Sequence, residues 1–88
     1  MLKVAREPIP ETAKRGKIKW FDTDLNYGFV MPSEFGQRDV FLHRSAVKDS
    51  HVMFERLVRD QDVYYVEEMD RNTHRISVSR IWLIGGGE

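Results

Sequence analysis

The segments Tyr27-Gly28-Phe29-Val30-Met31 and Asp39-Val40-Phe41-Leu42-His43 constrain the fold of this chain most. Side chains alternate across a strand with period two. As strands, the first puts Tyr27, Phe29 and Met31 on one side and Gly28 and Val30 on the other. The second puts Phe41 and His43 opposite Val40 and Leu42. Each run therefore has an aliphatic side, which suits a core, and an aromatic or histidine side. The pattern alone leaves two readings for the rings: a second buried face, or a platform turned to water. A small barrel cannot bury both faces, and Val30, Val40 and Leu42 already supply an interior.

The rest of the chain is punctuated in the same way. Gly16-Lys17-Ile18-Lys19-Trp20-Phe21 suits a strand and stops at the turn-forming Asp22-Thr23-Asp24-Leu25-Asn26. Pro32 ends the second strand, and residues 33–38 connect it to the third. In residues 44–60, Met53 with Leu57 and Phe54 with Val58 have the spacing of a short helical turn. Residues 62–67 and 74–81 read as two further strands, joined by the hairpin turn Asp70-Arg71-Asn72-Thr73. Short strands with little helix predict an all-β, closed or nearly closed barrel, which removes exposed strand edges. Residues 1–14, with Pro8-Ile9-Pro10, read as an extended arm. Residues 15–84 form the domain, and residues 85–88 a flexible glycine-rich tail.

With 88 residues the chain makes one domain. It has no cysteine, and His43, His51 and His74 are scattered, so neither a disulfide nor a metal site is expected. His51 and His74 read as solvated loop residues. Asp22 and Asp24 lie in a turn, where carboxylates serve the backbone, so no catalysis and no cofactor are expected. No apolar run approaches the ~20 residues of a membrane span, and the N-terminus lacks the apolar stretch of a secretory signal. A cytoplasmic protein without membrane contact is the expectation. Fourteen basic and fourteen acidic residues give a net charge of zero. Lys14, Arg15, Lys17 and Lys19 crowd the first strand, whereas Asp60, Asp62, Glu67, Glu68 and Asp70 make the later part acidic. This segregation predicts one electropositive end on a neutral molecule.

Lys19-Trp20-Phe21, Tyr27-Gly28-Phe29-Val30 and Asp39-Val40-Phe41-Leu42-His43, in this order and spacing, resemble the cold-shock domain family. The likeness runs from about residue 15 to 84. It implies a five-stranded antiparallel barrel of the oligonucleotide/oligosaccharide-binding (OB) fold. It also implies binding of single-stranded RNA or DNA with low sequence preference, by an RNA chaperone or a regulator of transcription or translation, and a monomer or weak dimer. Carried over position by position, the implied contacts are Lys19, Trp20, Tyr27, Phe29, Phe41, His43 and the loop ring Phe54. Lys17 beside them supplies a further phosphate donor. RNA-recognition-motif domains carry related motifs in the reverse order with a helix between, so that fold is rejected.

Several positions depart from the family. Asn26 replaces a usual glycine, and Asn tolerates the left-handed conformation that the turn needs. Leu25 replaces a lysine and Asp22 an asparagine. Arg44 replaces a phenylalanine, and its guanidinium can stack on a base or pair with phosphate. Lys19 and Trp20 are adjacent, so both reach one face only if the first strand carries a bulge. Trp82 lies beyond the motifs and is expected to pack the barrel bottom. The neutral charge, Leu25 and the acidic last hairpin also fit a second reading: a protein-interaction module with reduced nucleic-acid affinity.

Overall fold

The computed structural model describes residues 9–85. The expectations for residues 1–8 of the arm and residues 86–88 of the tail lie outside the described residues. Five strands form a closed barrel in the order β1-β2-β3-β5-β4. They are β1 (Lys14–Asp22), β2 (Tyr27–Pro32), β3 (Val40–His43), β4 (Asp62–Met69) and β5 (Ile76–Leu83). Four of the pairings are antiparallel, and one short parallel contact, Phe41 to Ser77, closes the barrel between β3 and β5. The fold is the all-β OB-type barrel expected.

The aliphatic sides of the strands make the interior. Ile18, Val30, Val40, Leu42, Val63, Tyr65, Val78 and Ile81 are buried there, with Ala46, Val47 and Leu57 from the β3–β4 connection. Ile18 pairs with Val30 and Val30 with Val40, forming one inward row across three strands. Phe21, Gly28 and Leu42 form the next row. Gly28 is required in that row. A Cβ there would lie 2.6 Å from the Cα of Phe21 and would also overlap the carbonyl of Trp20. Gly16 is similarly confined, with a Cβ falling 2.6 Å from the carbonyl oxygen of Met31.

Two irregularities set the faces. In β1 the register shifts between Ile18 and Trp20, leaving Lys19 as the extra residue of a bulge, as expected from the sequence. In β5 the register shifts so that Val66 faces Arg80 and Glu67 faces Val78, leaving Ser79 unmatched. The apolar alternation of residues 74–81 therefore breaks. Val78 and Ile81 are both buried, while Ile76 is half-exposed. Trp82 does not fill the barrel. It lies opposite Tyr64, outside the buried cluster, because it alternates with the inward Ile81.

The β3–β4 connection contains the short helical turn expected from Met53/Leu57 and Phe54/Val58, as a single 3-10 turn over Phe54–Arg56, and adds a helix, α1 (Arg44–Asp49), which that spacing does not indicate. Met53 and Val58 are exposed, so only Leu57 of that set enters the core. The helix is anchored at its far end by Ser50. Its hydroxyl donates to the carbonyl of Ala46 (2.7 Å) and accepts from the backbone N–H of Ile81 (2.9 Å). In the β4–β5 turn, the Asp70 carboxylate accepts from the N–H groups of Asn72 (2.7 Å) and Thr73 (3.0 Å). Those hydrogen bonds hold its pKa below the usual carboxylate range. Tyr65 is buried, and its hydroxyl has no hydrogen-bond partner among the described residues. Burial, with the nearby charges of Glu67 and Glu34, pushes its pKa up to about 12.

Candidate nucleic-acid interface

The outward positions of β1, β2 and β3 form two further rows. Trp20 pairs with Phe29 and Phe29 with Phe41; Asp22 pairs with Tyr27 and Tyr27 with His43. The bulge at Lys19 brings Trp20 into the first of these rows. Five rings thus share one face, and neighbouring centroids are close. Trp20 lies 5.4 Å from Phe29 and 5.7 Å from Tyr27. Phe41 lies 5.4 Å from Tyr27, 5.9 Å from Phe29 and 6.1 Å from His43. Most of these pairs are tilted or edge-on, the arrangement that the ring quadrupole favours. Trp20, Tyr27, Phe29 and Phe41 are half-buried and His43 is exposed. Each ring is held by its neighbours and still turned to solvent, so the platform reading prevails over the second-core reading.

The cations expected beside the platform are compensated. Lys19 Nζ lies 2.7 Å from Asp39 Oδ2, and Lys17 Nζ lies 3.1 Å from Asp62 Oδ1. Arg15 shares Asp62 at 3.8 Å, and Lys14 reaches Glu67 at 3.3 Å. The expected electropositive end is therefore reduced. Strands distant in sequence bring three carboxylates against the four cations of β1, with Asp62 shared by Lys17 and Arg15. These exposed pairs are weak and open readily to a competing phosphate.

Arg44 stands apart. Its backbone N–H donates to the carbonyl of Asn26 (2.9 Å), and its guanidinium donates to Asn26 Oδ1 (3.4 Å). The guanidinium also lies over the Phe54 ring, 5.7 Å from the centroid. Phe54 in turn stacks on Phe21, with planes 5° apart and centroids at 5.7 Å. Phe54 therefore rests on the core beside the platform, and its ring stacks on Phe21 and not on the platform rings. Asn26 adopts φ of 69°, so it supports the tight turn as expected. The Asp22 carboxylate accepts from the N–H groups of Asp24 (2.8 Å) and Leu25 (3.2 Å), which fixes the same turn.

His43 has two tasks. It is the N-cap of α1, and its Nδ1 accepts the N–H of Ser45 at 3.1 Å. The same Nδ1 also lies 3.1 Å from the Ser45 hydroxyl oxygen. His51 and His74 are exposed loop residues with positive φ. Among the described residues there is no cluster of three potential metal ligands, and no helix is long and apolar enough to cross a membrane.

The sequence reading passed over three residues of this surface. The sequence pattern marks Asn26 only as a turn former, Asp39 only as the start of the third-strand motif and Asp62 only as an acidic charge. Their roles depend on pairings between distant strands, which leave no local signal. Phe35, in the β2–β3 connection, is fully exposed on a turn closed by Gln37 N–H to Glu34 carbonyl (3.4 Å).

The 'Cold-shock' DNA-binding domain family matches residues 14–81. Cold shock domain-containing protein 4 of Arabidopsis thaliana is 34% identical over 59 residues, 67% of this chain and 28% of that protein. The chain thus spans little more than a quarter of that relative. Cold shock-like protein CspC of Escherichia coli O157:H7 is 29% identical over 68 residues, 76% of this chain and 94% of that protein. Cold shock-like protein CspJ of Salmonella typhimurium (strain LT2) is 33% identical over 64 residues, 72% of this chain and 87% of that protein. With its ring-bearing strands in this order on a closed five-stranded barrel, the chain belongs to the cold-shock domain family.

Proposed function

We propose that this chain binds single-stranded RNA or DNA with low sequence preference, as an RNA chaperone or a regulator of transcription or translation, and catalyses nothing. The observation that carries the reading is the continuous outward patch of Trp20, Tyr27, Phe29, Phe41 and His43. Bases stack on such rings whatever their sequence, because every base has a π face. Lys17, Lys19 and Arg44 flank the patch and serve the phosphate backbone, the two lysines by exchanging their carboxylate partners. Phe54 acts from beneath Arg44. Bases held on the rings are unavailable for pairing, so binding melts weak hairpins without a nucleotide triphosphate. The working form is a cytoplasmic monomer or weak dimer.

Titration with an oligothymidine strand at moderate salt tests the reading. In a Trp82→Phe background, Trp20 fluorescence quenches on binding. Absence of binding at low micromolar concentration would overturn it. The paired cations favour one rival, a protein-docking module on the same barrel. Phosphate binding weakens steeply as salt rises, whereas an apolar protein contact does not.

A further inference from the structure

The outward column of β2 continues past the ring face. Tyr27, Phe29 and Met31 alternate outward, Met31 pairs with Lys17, and the strand ends at Pro32. Residues 33–39, all exposed, carry the chain on to β3. Both ends of this connection are tied to β1. The Ser33 N–H donates to the Arg15 carbonyl (2.9 Å), and Asp39 Oδ2 accepts from Lys19 Nζ (2.7 Å), at the bulge beside Trp20. At its apex, the turn Glu34-Phe35-Gly36-Gln37 has Gly36 at φ of 86°. Glycine with positive φ at the third residue is the pattern of a type II turn. Phe35 thus takes the second, corner position, and its ring is fully exposed. The corner does not require an aromatic residue, and the ring packs on nothing. One exposed apolar side chain is ordinary by itself. Here a cation accompanies it. Three residues on, Arg38 is exposed and meets no carboxylate among the described residues. The turn's own carboxylate, Glu34, lines the hollow at the barrel end with Lys14, Pro32 and Tyr65.

We infer that Phe35 and Arg38 form a further nucleotide subsite, set on the β2–β3 connection off the barrel, for the stretch of single strand that runs on past Trp20. The Phe35 ring stacks on one base, and the Arg38 guanidinium takes a phosphate beside it. Continuity decides the occupant. A strand laid across Phe41, Phe29 and Trp20 and carried on in that direction meets the Lys19–Asp39 pair and then this connection. Lys19 is matched there by Asp39, so Arg38 is the uncommitted cation of that end. Glu34 repels phosphate, which assigns the strand's backbone to the Arg38 side of the ring. The subsite rests on the single-strand reading above. It lengthens the footprint by one base without reading base edges, so it is indifferent to sequence. Because the ring packs on nothing, it can be removed without disturbing the barrel.

The test titrates oligothymidines of about four to ten nucleotides, within the span of such a barrel, against the Trp82→Phe chain with and without Phe35→Ala. Trp20 fluorescence reports binding. The shortest strand that binds fills the ring face and has the same affinity for both chains. As the strand lengthens, the chain that keeps Phe35 gains about fivefold or more over the variant, the low end of what one stacked base supplies. Phe35→Tyr, which keeps a ring, keeps the gain. An abasic sugar, placed at each position of the long strand in turn, removes a base and keeps its phosphate. Near one end of the strand it abolishes the difference between the two chains. Arg38→Gln lowers the salt slope of the long strand by about 0.7, the share of one single-strand phosphate, and leaves that of the short strand unchanged. Far-UV circular dichroism checks that the variants fold. An effect of Phe35→Ala that is the same at every length, zero included, overturns the subsite and leaves the single-strand reading standing. So does an effect that no abasic position removes, or an unchanged slope in Arg38→Gln. Failure of every strand to bind overturns the parent reading and this one with it.

Discussion

The outer surface of β1–β2–β3 and that of the β4–β5 hairpin belong to one barrel, yet they are built for opposite purposes. The first carries rings at each outward position of its two central rows except Asp22. The second carries Tyr64 and Trp82 near the barrel and then runs into Glu68, Asp70 and the exposed Met69 and Ile76. Where the two halves meet, Asp62 and Glu67 of the hairpin pair with Lys14, Arg15 and Lys17 of β1, Asp62 being shared by the last two. The difference teaches that the neutral total charge is not a dilution of the binding surface. Within it, three of the four cations of β1 take their counterions from the other half of the barrel. On the proposed reading, recognition falls to the ring face and to Arg44, the site cation that meets no carboxylate among the described residues.

The largest effect that would break this division comes from the spine beneath the rings. Gly28→Ala places a Cβ against the β1 backbone and should cost about 4 kcal/mol or more of stability, in the range reserved for severe core disruption. Thermal or urea unfolding measures it, and near-normal stability would show that β1 can retreat from β2.

On the ring face, Phe29→Ala or Phe41→Ala should weaken single-strand binding by about 1–3 kcal/mol, the worth of one stacked base. Glu68→Gln on the hairpin should leave affinity for the same strand unreduced. Equal losses from both faces would erase the distinction.

Tyr65, inside the barrel between the two halves, gives an alkaline signature. Its folded pKa is raised to about 12, against an unfolded value near 10. The native state therefore holds the phenolic proton longer than the unfolded state does. Stability is fully present below pH 10 and falls as pH rises from about 10 to 12, by the order of 2 kcal/mol. Tyr65→Phe should abolish that part of the slope. At neutral pH the variant should be no less stable, because the lost hydroxyl has no partner.

The smallest effect sharpens the counterion argument. Asp62→Asn releases Lys17 and Arg15, and single-strand binding should tighten by up to about 1 kcal/mol with a steeper salt dependence. An unchanged salt slope would mean that these cations never meet the strand.

Much of this was readable in the residues. The five strands announced themselves through β-branched and aromatic runs closed by turn residues, and the platform rings through the period of two in β2 and β3. The bulge at Lys19 followed from two adjacent residues needing one face. Helix α1 was not readable. It is six residues long, and its buried residues, Ala46 and Val47, are adjacent and so show no helical period. Its start is capped by a histidine, outside the usual set of Ser, Thr, Asp and Asn. The position of Trp82 was missed because the Ser79 bulge sets which residues of β5 face inward. The ion pairs were hidden because Lys19 finds Asp39 and Lys17 finds Asp62 only after the barrel closes.

The extra residue at Lys19 has a consequence for how such a chain can change. It works as a reading frame inside a strand. Before it, Ile18 faces in; after it, Trp20 faces out and Phe21 in. Deleting that one residue would leave a regular ladder, with Ile18 still inward opposite Val30, Trp20 outward opposite Phe29 and Phe21 inward opposite Gly28. In a regular stretch of the strand, by contrast, a one-residue change exchanges the two faces. Lineages of this barrel are expected to change the length of β1 at this position before any other.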